Sequence, residues 1–128
     1  MRLLLDTHLL LWAAANSKRL PRMARELLED ETNEVYYSAA SIWEIAIKSS
    51  IGRKDFRIDL ASLQSMLPEM GFIELPVTAA HAAGITKLPL IHRDPFDRLL
   101  IAQSIAEPLT LLTNDAILGR YRGSVRIV

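Results

Sequence analysis

Four carboxylates stand where a sequence of this kind places chemistry. Asp6 follows Leu3-Leu4-Leu5 directly, and Glu44 ends the run Ser38-Ala39-Ala40-Ser41-Ile42-Trp43-Glu44. Asp97 lies in Asp94-Pro95-Phe96-Asp97, and Asp115 closes Thr113-Asn114-Asp115. Each has a structural role available on its own. Asp6, Asp94 and Asp115 are good helix N-caps. Asp94, Pro95 and Asp97 together read as a helix start. Glu44 and Lys48 are spaced for an ordinary i,i+4 surface pair. Gathered at one sheet edge, the four change meaning. Desolvated carboxylates are costly, and like charges in one pocket raise one another's pKa values. A divalent cation removes that penalty, and Mg2+ and Mn2+ take oxygen ligands. The chemistry that follows is metal-assisted attack of water on a phosphodiester.

The elements that position these residues alternate. Strands are expected at Arg2–Leu5, Val35–Tyr37, Phe72–Leu75, Leu109–Leu112 and Val125–Val128. Helical spacing covers Thr7–Ala15, Leu20–Glu31, the segment with Ile42, Ile45, Ala46 and Ser49, then Leu60–Met70, Thr78–Lys87 and Pro95–Ala106. Gly52 and Gly71 are natural stops. This alternation predicts an α/β fold, a mostly parallel sheet with helices on both faces. In such folds ligands bind outside the carboxyl ends of strands, where strand order reverses.

Composition sets the outer limits. The 128 residues suit one domain over 1–128, and half are hydrophobic. Fifteen basic and fifteen acidic residues cancel, which excludes a strongly basic nucleic-acid coat but not a local basic patch. There is no cysteine, so disulfides, zinc fingers, iron–sulfur clusters and thiol catalysis are excluded. The longest apolar run, Leu9–Ala15, is too short to span a membrane. Asp6 and His8 interrupt the N-terminal apolar stretch, so it reads as part of the mature fold of a cytoplasmic protein.

The motifs Leu-Leu-Leu-Asp6-Thr7-His8, Glu44 after Ser-Ala-Ala-Ser-Ile-Trp, His92-Arg-Asp-Pro-Phe-Asp97-Arg-Leu-Leu-Ile-Ala-Gln103 and Thr113-Asn-Asp115 resemble the PIN-domain ribonucleases, and among them the VapC-type toxins of type II toxin–antitoxin pairs. The resemblance spans the whole chain, with all four motifs in order. It implies a three-layer α/β/α fold with a five-stranded parallel sheet, a homodimer and a VapB-type antitoxin that covers the site. It implies an Mg2+- or Mn2+-dependent endoribonuclease with Asp6, Glu44, Asp97 and Asp115 as the acidic metal site. Asp6 and Asp97 match the most consistent ligands, and Thr7 and Thr113 match positions whose hydroxyl supports the pocket.

Other residues are weighed beside these. None of the three histidines has ligand spacing; His8, beside Asp6, is the one candidate for the site, and a structural role is expected for all three. Lys48, Arg53, Lys54 and Arg57 form a basic cluster that reads as a solvated face or as contacts to RNA phosphates. Arg98 either joins them or pairs with Asp94. Trp12 and Trp43 read as core or interface anchors rather than stacking platforms. Two further readings stand beside the nuclease. A PIN-like module that dimerises and holds a partner without useful catalysis would not need all four carboxylates. A receiver-like phosphoacceptor needs paired acids after its first strand and a lysine after its fifth, and the sequence has neither.

Overall fold

The computed structural model describes residues 1–128. Five strands form one all-parallel sheet in the order β3-β2-β1-β4-β5. They are β1 (Arg2–Leu5), β2 (Glu34–Ser38), β3 (Ile73–Leu75), β4 (Thr110–Thr113) and β5 (Val125–Ile127). Six helices connect them: α1 (Thr7–Ala14), α2 (Arg22–Glu29), α3 (Ala39–Ser50), α4 (Leu60–Glu69), α5 (Ala79–Gly84) and α6 (Pro95–Ala106). Short 3-10 turns occupy Lys54–Phe56, Ile85–Lys87 and Ala116–Arg120.

The period of two along β1 divides the core into two layers. Leu3 and Leu5 face one side with Leu9, Leu10, Ala24, Leu63, Leu67 and Leu112. Leu4 faces the other with Leu100, Ile101, Leu111, Leu118 and Tyr121. Thus α1, α2 and α4 cover one face and α6 the other, while α3 packs against both α1 and α6 across the carboxyl end of the sheet. The three-layer α/β/α arrangement is the fold that the sequence implies.

The helix ends follow local chemistry. Asp6, Ser38, Asp59, Thr78 and Asp94 each accept a main-chain N–H as N-caps. Gly52 and Gly71 take φ of +79° and +81° just after α3 and α4, the left-handed region that a side chain disfavours. Several expected elements differ at their ends, β4 by one residue, as Thr110–Thr113 in place of Leu109–Leu112. The Leu20–Glu31 segment is helical only from Arg22 to Glu29, because Pro21 serves as the cap and Asp30 is extended. Thr78–Lys87 divides into α5 and a 3-10 turn at Gly84, on the side where α5 packs on α6. Phe72 precedes β3, buried against the α1 layer. Trp43 is not a core anchor: it is 59% exposed, with its ring edge-on to Phe96. Trp12 is half-buried against the α1 layer.

Candidate active site

The chain leaves β1 toward β2 and β3 on one side and returns to β4 and β5 on the other, so strand order reverses between β1 and β4. This is where parallel sheets open a crevice. A cavity of about 240 Å3 lies there, lined by Asp6, Thr7, His8, Glu44, Lys48, His92, Asp94, Asp97 and Asp115, without one hydrophobic side chain. All four carboxylates singled out in the sequence therefore meet in one place.

Each is held differently. Asp6 ends β1 and caps α1: Oδ1 accepts from Leu9 N at 2.9 Å and Oδ2 from Thr113 Oγ1 at 2.6 Å. Burial pushes its pKa up, and the Thr113 and Leu9 hydrogen bonds oppose that shift. Thr113 also accepts from Asp115 N at 3.0 Å, so one hydroxyl links the ends of β1 and β4. Asp115 in turn caps the 3-10 turn through Ile117 N. Capping and pocket lining coexist here because one carboxylate oxygen turns back to the chain.

Asp97 sits on the first turn of α6, where its main-chain N–H is taken by the Asp94 cap at 3.1 Å. Burial first, then the negative charges of Asp94, Asp6 and Glu44, push its pKa up to about 7, against a lowering by His92. No guanidinium or ammonium pairs with it; the nearest basic nitrogen is His92 Nε2 at 3.4 Å. Asp94 is the cap that its sequence indicates, and it also lines the cavity.

Glu44 is 3% exposed, and both its oxygens are engaged. Thr7 Oγ1 donates to Oε1 at 2.6 Å, and Lys48 Nζ donates to Oε2. The expected surface pair is thus a buried one, because α3 lies across the sheet end and turns this face inward. Lys48 belongs to the pocket and not to a solvated face. Arg53 pairs with Asp55 beside it, while Lys54 and Arg57 are exposed without an ion pair. Arg98 points away from the pocket, donating to the carbonyls of Ile85 and Leu88; it does not pair with Asp94.

His92 is the pocket residue that sequence reasoning missed. Its Nδ1 accepts from Asp94 N at 3.0 Å, which places the proton of the neutral ring on Nε2. Nε2 then lies 3.1 Å from Asp115 Oδ2 and 3.4 Å from Asp97 Oδ2. These three ligand atoms lie within 4.8 Å of one another, a spacing that one ion could share. The protonated Nε2 makes His92 a donor to Asp115 and sets its ring beside Asp97, leaving oxygens as the ligand set. Its signal was faint: a lone histidine two residues before a capping aspartate. His8 lines the pocket wall with a half-exposed ring 3.5 Å from Asp55. His81 is structural, buried in the α5 capping box with Nε2 on Glu107.

An oxygen-rich cavity with one carboxylate poised near neutrality fits a hard divalent cation. No helix is long and apolar enough to cross a membrane. The PIN domain family model matches residues 3–124. Ribonuclease VapC22 from Mycobacterium tuberculosis is 31% identical over 120 residues, covering 93% of this chain and 91% of that protein. Among solved structures, VapBC2 from Rickettsia felis, bound to a DNA fragment from its promoter, aligns with a TM-score of 0.70 at 18% identity over 99% of this chain and 98% of the other. FitAcB from Neisseria gonorrhoeae aligns with a TM-score of 0.59 at 20% identity, over 96% and 95%. These last two likenesses speak for the fold. With the family model across nearly its whole length and a relative above 30% identity over the same span, the chain belongs to the PIN domain family.

Proposed function

We propose that this chain, a single PIN domain over 1–128, is the toxin of a type II toxin–antitoxin pair and hydrolyses RNA phosphodiester bonds with Mg2+ or Mn2+. The observation that carries this reading is the switch-point cavity, where four carboxylates converge and Asp97 is pushed up to about 7. Asp6, Asp97 and Asp115 would hold the ion, with Glu44 completing the acidic wall. A divalent cation bound there supplies a more acidic water and neutralises charge on the phosphodiester. The protein groups do the rest. Thr113 fixes Asp6 relative to Asp115, and Thr7 fixes Glu44. His92 orients Asp115 through Nε2–H, with Asp97 3.4 Å from the same nitrogen. Glu44 holds Lys48 in the cavity, where its ammonium meets a phosphate oxygen. Arg53, Lys54 and Arg57, next to Phe56 under the His8 ring, extend this cationic side for flanking phosphates.

The relatives support the partners. The M. tuberculosis protein is named a ribonuclease, and the structural neighbours are VapBC and FitAB assemblies. This chain is accordingly read as a cytoplasmic homodimer that binds a VapB-type antitoxin. Exposed Trp43, Ile47 and Leu90 offer apolar surface for such contacts. The test is incubation of single-stranded RNA with the purified protein. Cleavage with Mg2+ or Mn2+ and none in EDTA is the expected result; equal cleavage in chelator overturns the metal mechanism.

A further inference from the structure

A second hollow, of about 270 Å3, opens beside the acidic cavity. It is lined by Trp12, His8 and Asn114 and shares Asp6, His8 and Asp115 with the cavity. A group that fills it is therefore continuous with whatever occupies the acidic site. Its wall is aromatic and braced. The Trp12 and His8 rings lie 5.7 Å apart between centroids, tilted by 45°, and His8 meets Phe56 edge-on at 5.4 Å. Trp12 is anchored in the α1 layer yet keeps part of its ring exposed.

The polar lining is one-sided. Asn114 is exposed, and its Nδ2 donates to the main-chain oxygen of Val128 at 3.0 Å, which fixes the amide and leaves Oδ1 free as an acceptor. Asp6 and Asp115 offer carboxylate oxygens. His8 Nε2 lies 3.5 Å from Asp55 on the far side of the ring. An aromatic wall beside the Asn114 and carboxylate acceptors fits a flat ring that presents donors.

We infer that this hollow holds an unstacked nucleobase next to the bond that is cut, and that it selects a base carrying an exocyclic amine against uracil. Aromatic stacking is tolerant of base identity, so Trp12 supplies affinity. Asn114 supplies the choice: cytosine, adenine and guanine each present an amine to an acceptor, whereas the uracil N3–H is flanked by two carbonyls that would face Oδ1 and the carboxylates. The inference rests on the ribonuclease reading for its substrate and deepens it to a specificity subsite.

The test compares short oligocytidine and oligouridine, which differ at this edge and share the pyrimidine ring. Fluorescence anisotropy of labelled oligomers, with Ca2+ in place of Mg2+, reads binding without turnover. The wild type is expected to bind oligocytidine about tenfold more tightly than oligouridine. Asn114→Ala should bring the two within about twofold, and Trp12→Ala should weaken both about tenfold. Because Trp12→Ala leaves a gap against the core, Trp12→Phe is the second variant, expected to recover most of the binding. Equal binding of the two oligomers by the wild type overturns the proposal, as does unchanged preference in Asn114→Ala or undiminished binding in both Trp12 variants. A parallel map of RNA cleavage with Mg2+ separates the two readings. Selective binding without any cleavage sinks the ribonuclease reading and leaves the subsite. Cleavage without base preference does the reverse.

Discussion

At the scale of single residues, Asp97 carries the electrostatic load. A carboxylate whose folded pKa is raised costs stability where the unfolded chain ionises and the folded one resists. Asp97 starts from 3.8 and reaches about 7. Below about pH 4 the group is protonated in both states and costs nothing. Between pH 4 and 7 the penalty grows, and above pH 7 it is complete, on the order of a few kcal/mol. In EDTA, Asp97→Asn is therefore expected to melt above the wild type at pH 8, with the gap closing by pH 4. A gap independent of pH would remove the electrostatic cause. The same substitution should lower RNA cleavage at least about a hundredfold, the scale of losing one preorganised charged group. Asp94→Asn should cost far less, since Asn still caps α6. Kinetic assays in which both variants are equally dead would contradict this division between cap and ligand. The carboxylates were legible in the sequence because Asp6, Asp97 and Asp115 follow a strand or open a helix, and Glu44 interrupts the apolar start of another. His92 was not, because no spacing marks a histidine that meets two carboxylates from separate elements.

At the scale of elements, α3 and α6 decide what the pocket contains. The limits of α6 were readable to the residue, since Asp94 and Pro95 fix its start. The ends of α2 and α5 were not, because helical periodicity continues past the point where Pro21 caps one and a 3-10 turn closes the other. The largest misreading was of α3. Residue spacing announces a Glu44–Lys48 pair but not that packing on α1 and α6 buries it. Removing one partner of a buried pair leaves an uncompensated charge. Lys48→Met is expected to destabilise the protein by about 3 kcal/mol, and Glu44→Gln combined with Lys48→Met to return within about 1 kcal/mol of the wild type. Urea unfolding of the single and double variants checks this. A double variant less stable than Lys48→Met would show that the pair contributes in some other way.

At the scale of the whole molecule, topology assembles what local sequence only distributes. Strand alternation announced a parallel sheet, but the order β3-β2-β1-β4-β5 is what brings Asp6 and Asp115 together across the reversal. α6 then adds Asp97, and α3 adds Glu44. Overall charge is zero, so the acidity of this cavity is local and was invisible in composition. Because the folded site binds the ion and the unfolded chain does not, Mg2+ should raise the melting temperature of the wild type more than that of Asp97→Asn. The most direct test is equilibrium binding of Mn2+ at pH 7.5, read from the loss of the free-ion signal in electron paramagnetic resonance. The account predicts saturable binding by the wild type and affinity reduced at least about tenfold in Asp97→Asn, in keeping with the loss of a carboxylate ligand. Equal Mn2+ binding by the two proteins would contradict it.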